Sequence, residues 1–267
     1  MHFALLHDGR PALLRVEGPP GAPVALFFHP FPLHSDVWDE MLAACAASGL
    51  CAAALDAPGF GGTPPLGHPL TMEKLAELGA CALDSLGARR AAIVGCSMGG
   101  YAAMAFARLF PDRVSAIALL ATKASADSDE AKKNRERQAQ LALSSGADAV
   151  VAEFVPRLLA PEPPPGVRHR VSELARRATG QGIADALRGM ALRPNTLPDL
   201  PRWTAPTLLI AGEHDQLMPR AEMEALAKGI PRARLEVIEG AGHLPFLERP
   251  RLVAPLLTAH LQLRVRD

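Results

Sequence analysis

Five short, largely apolar runs constrain this chain most: Val24–Phe28, Cys51–Leu55, residues 91–95, Val114–Leu120 and residues 207–211, with Ser115 and Thr207 their polar members. A strand that alternates apolar and polar residues has one wet face, whereas a strand apolar at every position must be covered on both. The stretches between the runs carry apolar residues at helical, three-to-four spacing. Residues 36–48 place Trp38, Met41, Leu42 and Cys45 on one side and stop at Gly49. Residues 71–86 open on Thr71, a capping residue, and end before Gly87. Met98–Leu109 ends at Phe110-Pro111. Strands alternating with helices predict an α/β fold, with a mostly parallel sheet and helices on both faces. Ahead of these, runs at 3–6 and 12–16 flank Asp8-Gly9, a hairpin signal that adds an antiparallel edge.

The alternation stops after residue 121. Residues 122–203 show only helical stretches, at 127–143, 147–159, 167–179 and 183–192, with prolines at Pro161, Pro163, Pro164 and Pro165. It resumes with 207–211, 220–228 and 234–238, and closes on a helix at 250–263. The expected organisation is a core domain of residues 1–121 and 204–267. Residues 122–203 would form an inserted helical cap, or lid, over the carboxyl ends of the strands, where such sheets bind ligands.

A chain of 267 residues buries about three quarters of its unfolded surface and needs no disulfide or metal to hold a core. Lys+Arg and Asp+Glu are 28 each, so there is no basic surplus to seek nucleic acid. Cys45, Cys51, Cys81 and Cys96 lack metal or redox spacing and sit among apolar residues, as reduced core side chains do. The N-terminal residues have neither a basic start nor a long apolar run, and no stretch reaches the ~20 residues of a membrane span. The expectation is a soluble cytoplasmic protein, monomer or homodimer, with no membrane partner.

Gly95-Cys96-Ser97-Met98-Gly99-Gly100 follows one apolar run and opens a helix. This is G-x-S-x-G between strand and helix, a sharp turn that exposes Ser97 Oγ above the sheet. The bare pattern is weak evidence; its context gives it weight. Serine needs a base, and the base an orienting acid. Of nine histidines, His243 alone lies in a glycine-rich loop after the last strand, in Gly240-Ala241-Gly242-His243-Leu244-Pro245. Asp215 follows residues 207–211 in Gly212-Glu213-His214-Asp215, so the chain order is Ser97, Asp215, His243. A helix cap is the plainer alternative for Asp215, and Glu213 is the competing acid. In His29-Pro30-Phe31-Pro32 the prolines have no N–H, which leaves Phe31 as the backbone donor of that turn. With Met98 N–H it could form an oxyanion hole. His29 is expected to bond the loop backbone.

These residues, together with Asp56-Ala57-Pro58-Gly59-Phe60-Gly61-Gly62-Thr63, resemble the α/β-hydrolase family from about Val24 to the end of the chain. The resemblance implies an eight-stranded sheet with a helical cap. It also implies a triad of Ser97, His243 and Asp215, with oxyanion donors at Phe31 and Met98. Pro30 departs from the glycine that relatives commonly carry, and stiffens the loop.

The implied chemistry is ester hydrolysis through an acyl-enzyme on Ser97, with no metal or organic cofactor. Serine at the elbow disfavours dehalogenases and epoxide hydrolases, which use Asp there. Esterases, lactonases, C–C hydrolases and perhydrolases stay open. Residues 122–203 hold 13 Lys/Arg and 10 Asp/Glu, so no strongly charged substrate is indicated. Phe31, Phe154, Leu158, Met190, Met218 and Leu244 are candidates for an apolar acyl pocket. A carboxylesterase acting on short to medium acyl esters is the leading expectation. A lactonase of the enol-lactonase type is the runner-up, although no cation stands out to receive a substrate carboxylate. A slow-turnover ligand sensor of the same fold is the third.

Overall fold

The computed structural model describes residues 2–5, 9 and 11–262. Its strands are β1 (His2–Leu5), β2 (Pro11–Glu17), β3 (Val24–Phe28), β4 (Cys51–Leu55), β5 (Ala91–Cys96), β6 (Val114–Leu120), β7 (Thr207–Gly212) and β8 (Ala233–Ile238). They form one eight-stranded sheet in the order β1-β2-β4-β3-β5-β6-β7-β8. The pairings from β4 through β8 are all parallel, and β2 runs antiparallel to both β1 and β4. The expected hairpin is present, with Gly9 at φ +80°; Leu6 and Asp8 lie outside the described residues. Every residue of β3, β4, β5 and β7 is buried, as such apolar runs require.

The helices between the strands are α1 (Asp39–Ala47), α2 (Met72–Ser85) and α3 (Met98–Leu109). A 3₁₀ turn at Ser35–Trp38 takes up the start of the helix expected from residue 36. Thr71 caps α2 by accepting from Lys74 N–H at 3.1 Å. After the insertion come α8 (Arg220–Gly229), α9 (Pro245–Glu248) and α10 (Pro250–Gln262). The predicted end of the last helix at residue 263 lies outside the described residues. Cys45, Cys51 and Cys96 are buried and Cys81 is half-buried. Among the described residues no helix is long and apolar enough to cross a membrane.

β3 sits between β4 and β5. The chain leaves β3 for β4 on one side, then crosses back to β5 on the other. Strand order reverses there, and the crevice at such a switch point is where open sheets bind ligands. Phe28, at the end of β3, pairs with Gly95 of β5. The loop carrying Phe31 and the turn carrying Ser97 therefore leave the sheet side by side.

Between β6 and β7 lie four helices, α4 (Asp129–Ser145), α5 (Ala147–Phe154), α6 (Val167–Ala175) and α7 (Gly180–Ala191), and no strand. Several boundaries differ from expectation; α6 ends at Ala175, short of residue 179, and α4 runs from Asp129 to Ser145. Pro156 interrupts the pattern read over 147–159, and α5 gives way to a 3₁₀ turn at Val155–Arg157. α7 starts at Gly180, because Thr179 Oγ1 accepts from Gly182 N–H at 2.9 Å and caps it.

Backbone contacts fasten this insertion to the rest. Thr179 N–H donates to Gly59 O at 2.9 Å, and Leu70 N–H to Asp185 O at 2.9 Å. The Asp185 carboxylate accepts from Gly67 N–H at 2.8 Å. A Cβ on Gly182 would lie 2.4 Å from Gly59 Cα, and one on Gly189 only 1.6 Å from Leu70 O. Gly189→Ala should therefore destabilise the protein by ~1–3 kcal/mol, despite the better helix propensity of alanine. Leu192→Ala, at an exposed position, should stay within ~0.5 kcal/mol of wild type. Thermal and urea denaturation of both variants check this.

Candidate active site

β5 ends at Cys96 and α3 begins at Met98, so Ser97 alone makes the turn. Its backbone lies at φ 54°, ψ −115°, a conformation that costs an L-residue energy and persists only when its surroundings enforce it. Three glycines admit those surroundings. A Cβ on Gly95 would lie 2.1 Å from Gly99 O, one on Gly99 2.0 Å from Phe28 O, and one on Gly100 2.5 Å from Thr122 Oγ1. Thr122 Oγ1 donates to Ser97 O at 2.9 Å, while Ser97 N–H donates to Leu120 O at 2.9 Å. The end of β6 thus braces the turn.

The loop after β3 is held from beneath by His29, which is buried. Ala57 N–H donates to His29 Nε2 at 3.0 Å, and Nδ1 lies 3.1 Å from Pro30 O. This network requires the neutral tautomer with the proton on Nδ1. His29 is structural, as expected. Asp56, fully buried, accepts from Ser35 N–H at 2.8 Å and from Gly62 N–H at 2.7 Å. Phe31 is buried above them, edge-on to Phe60 at 6.0 Å. Pro30 and Pro32 carry no N–H. Among the described residues, neither Phe31 N–H nor Met98 N–H donates to a backbone carbonyl. Met98 stands in the first turn of α3, where N–H groups have no partner one turn earlier.

Asp215 and His243 meet. His243 Nδ1 lies 2.8 Å from Asp215 Oδ2 and 3.0 Å from Oδ1, with both side chains almost completely buried. Asp215 Oδ1 also accepts from Leu217 N–H and Met218 N–H, each at 2.9 Å. Asp215 thus braces a turn as well as orienting the imidazole, but it does not cap a helix: α8 starts at Arg220, with Pro219 at its N-cap. Glu213 is turned away and accepts from Gly240 N–H at 2.8 Å. The loop bearing His243 approaches β7 closely; a Cβ on Gly212 would lie 1.9 Å from Gly242 O. His243 O sits 3.8 Å from Cys96 Sγ, which places this loop against the residue before Ser97.

Of the apolar candidates, Phe154 reaches the site, edge-on to Phe31 with ring centroids 5.0 Å apart. Leu158 and Leu244 are fully buried, the latter directly after His243. Met218 is held through Asp215. Met190 belongs with a different group: its sulfur is 3.4 Å from Arg135 Nη1, and its carbonyl accepts from Arg193 at 3.0 Å. Asp127 joins that group, bonded to Arg135 and, at 2.7 Å, to Arg193. Burial alone would raise its pKa, but the two guanidinium groups outweigh burial and hold it at about 2. Phe60 and Asp56 are further residues of the site, and their only signal was the glycine-rich motif that contains them.

The alpha/beta hydrolase fold family model matches residues 23–250, and the chain belongs to that family. It is a hydrolase, with esterases among its neighbours. It superposes on a thermophilic esterase from Thermogutta terrifontis with a TM-score of 0.94, at 32% identity, covering 100% of this chain and 99% of the other. An enol-lactonase from Burkholderia xenovorans superposes with a TM-score of 0.89, at 25% identity, covering 98% and 100%. A poly(3-hydroxyalkanoate) depolymerase from Ectopseudomonas oleovorans is 32% identical over 215 residues, 78% of this chain and 74% of that protein.

Burial lowers the pKa of His29 from its ordinary 6.5 to about 4, against the attraction of Asp56. Protonation would also set an Nε2 proton against Ala57 N–H. Between pH 6.5 and 4 the unfolded chain binds the proton and the folded one does not, so stability falls as pH drops through that window. The loss should approach about 3 kcal/mol near pH 4. Urea denaturation of wild type across this range, with His29→Gln as the non-titrating control, measures it.

Proposed function

We propose that this chain is a serine carboxylesterase that cleaves esters of short to medium acyl chains through an acyl-enzyme on Ser97. The observation that carries the reading is the buried 2.8 Å bond between His243 and Asp215, beside the strained turn at Ser97. His243 Nε2 takes the Ser97 proton as Oγ attacks the ester carbonyl carbon. Asp215 fixes the tautomer with the proton on Nδ1 and stabilises the imidazolium. Phe31 N–H and Met98 N–H receive the oxyanion, each worth roughly 3–4 kcal/mol in the transition state. The carbon–oxygen bond to the alcohol breaks as His243 returns the proton. Water, deprotonated by His243, then attacks the acyl carbon and releases the acid and free Ser97.

Phe31, Phe154, Leu158, Met218 and Leu244 supply the apolar acyl wall, and residues 122–203 serve as its cap. Met190 stands further back in that cap. Five cations of the insertion are paired: Arg135 and Arg193 on Asp127, Arg188 on Glu136, Arg170 on Asp39 and Arg177 on Asp36. Likeness to the enol-lactonase supports lactone hydrolysis as a second reading, since ring opening needs the same nucleophile, base and oxyanion donors.

A p-nitrophenyl ester series from acetate to decanoate should be turned over best at its shorter members. Ser97→Ala should lose about 10⁴-fold or more in kcat. Asp215→Asn, which reverses the favoured tautomer, should lose about 10⁴-fold. Lactone hydrolysis without ester turnover would reverse the ranking of the two readings.

A further inference from the structure

One buried charge is left unexplained by this chemistry. Glu248 ends α9 and is 2% exposed. Its Oε1 accepts from Gly242 N–H at 2.8 Å, and its Oε2 from Ala160 N–H at 2.8 Å. The first donor immediately precedes His243. The second belongs to the helical insertion, 88 residues away in sequence. The neighbouring cation does not pair with the carboxylate; Arg249 Nη1 donates to the backbone carbonyl of Glu248 instead, at 2.9 Å. The same two segments touch directly, since a Cβ on Gly242 would lie 2.3 Å from Ala160 N and 2.5 Å from Leu159 C.

We propose that Glu248 is a positioning residue that clamps the loop carrying His243 to the helical insertion. The proposal rests on the reading of His243 as the general base. Asp215 fixes the imidazole at Nδ1, and Glu248 fixes the backbone one residue earlier. The ring is thereby set from both ends. The same carboxylate ties that loop to the segment following Phe154 and Leu158, so the acyl wall and the base share one anchor.

The chemistry of the side chain makes this testable. An ionised carboxylate offers two acceptor oxygens, and both bonds need an acceptor. A glutamine of the same shape offers one acceptor and one donor. Its amide N–H would then face a backbone N–H, and one arm of the clamp must open. Removing one partner of a buried donor is costlier than its net bond strength suggests, because the orphan stays desolvated.

The experiment compares wild type, Ser97→Ala and Glu248→Gln by labelling with a fluorescent alkyl phosphonate, by ester kinetics and by proton NMR. Wild type should be labelled and Ser97→Ala not. Glu248→Gln should be labelled, and should turn over ester, about 10- to 100-fold more slowly, with KM within threefold, as a displaced catalytic group predicts. The low-field Nδ1 proton of His243 should move or broaden, which loss of packing elsewhere would not cause. Labelling at the wild-type rate with that resonance unmoved overturns the proposal. Failure of wild type to label overturns the reading of Ser97, while the NMR comparison still tests the clamp. Should Glu248→Gln not fold, amide exchange in wild type decides. Gly242 and Ala160 lie outside any helix or strand, and their amides should be protected about 100-fold. Exchange at intrinsic rates overturns the clamp.

Discussion

The closeness of α3 to the end of β3 governs everything at the rim. Gly99 lies so near Phe28 O that only a hydrogen fits between them. That approach seats the first turn of α3 beside the loop after β3. Strand order supplies the neighbourhood, since Phe28 and Gly95 are register partners. Glycine supplies the last ångströms. The strain at Ser97 is tolerable because Leu120 and Thr122 hold that residue by its backbone.

Buried carboxylates do much of the remaining fastening, in a way that differs from ion pairing. Asp56 binds N–H groups of Ser35 and Gly62, Asp215 those of Leu217 and Met218, and Asp185 that of Gly67. Each carboxylate takes main-chain donors that loop geometry would otherwise leave orphaned, and an ionised acceptor makes the stronger bond. Asp127 is the contrast, a buried acid neutralised by Arg135 and Arg193. The first kind defines loop shape; the second packs α4 against the residues that follow α7.

The sheet and its helices were legible because apolar runs and three-to-four spacing survive in one dimension. Ser97, Asp215 and His243 were legible because each follows a strand in a loop with a glycine pattern. The docking of the insertion was not. It depends on Gly59 against Gly182 and on Asp185 reaching Gly67, and neither contact has a local pattern. Asp127 reads as one more charge on a solvated helix, yet it is buried. Glu248 carries no signal in the sequence, because its partners lie in two segments that only the folded chain brings near. The apolar spacing over 147–159 continues through Pro156 and hides it, although the hydrogen-bond pattern changes there.

The meeting of Gly59 and Gly182 carries an evolutionary consequence. No side chain separates the two strands of main chain there, so neither position can gain a methyl group without displacing the other. Gly59 is further restricted by its φ of +89°. Drift at either site is blocked unless the opposing segment retreats in the same lineage. Homologues that keep this seam should show paired small residues at both positions, and those that lose one should carry a compensating shift or deletion in the facing loop.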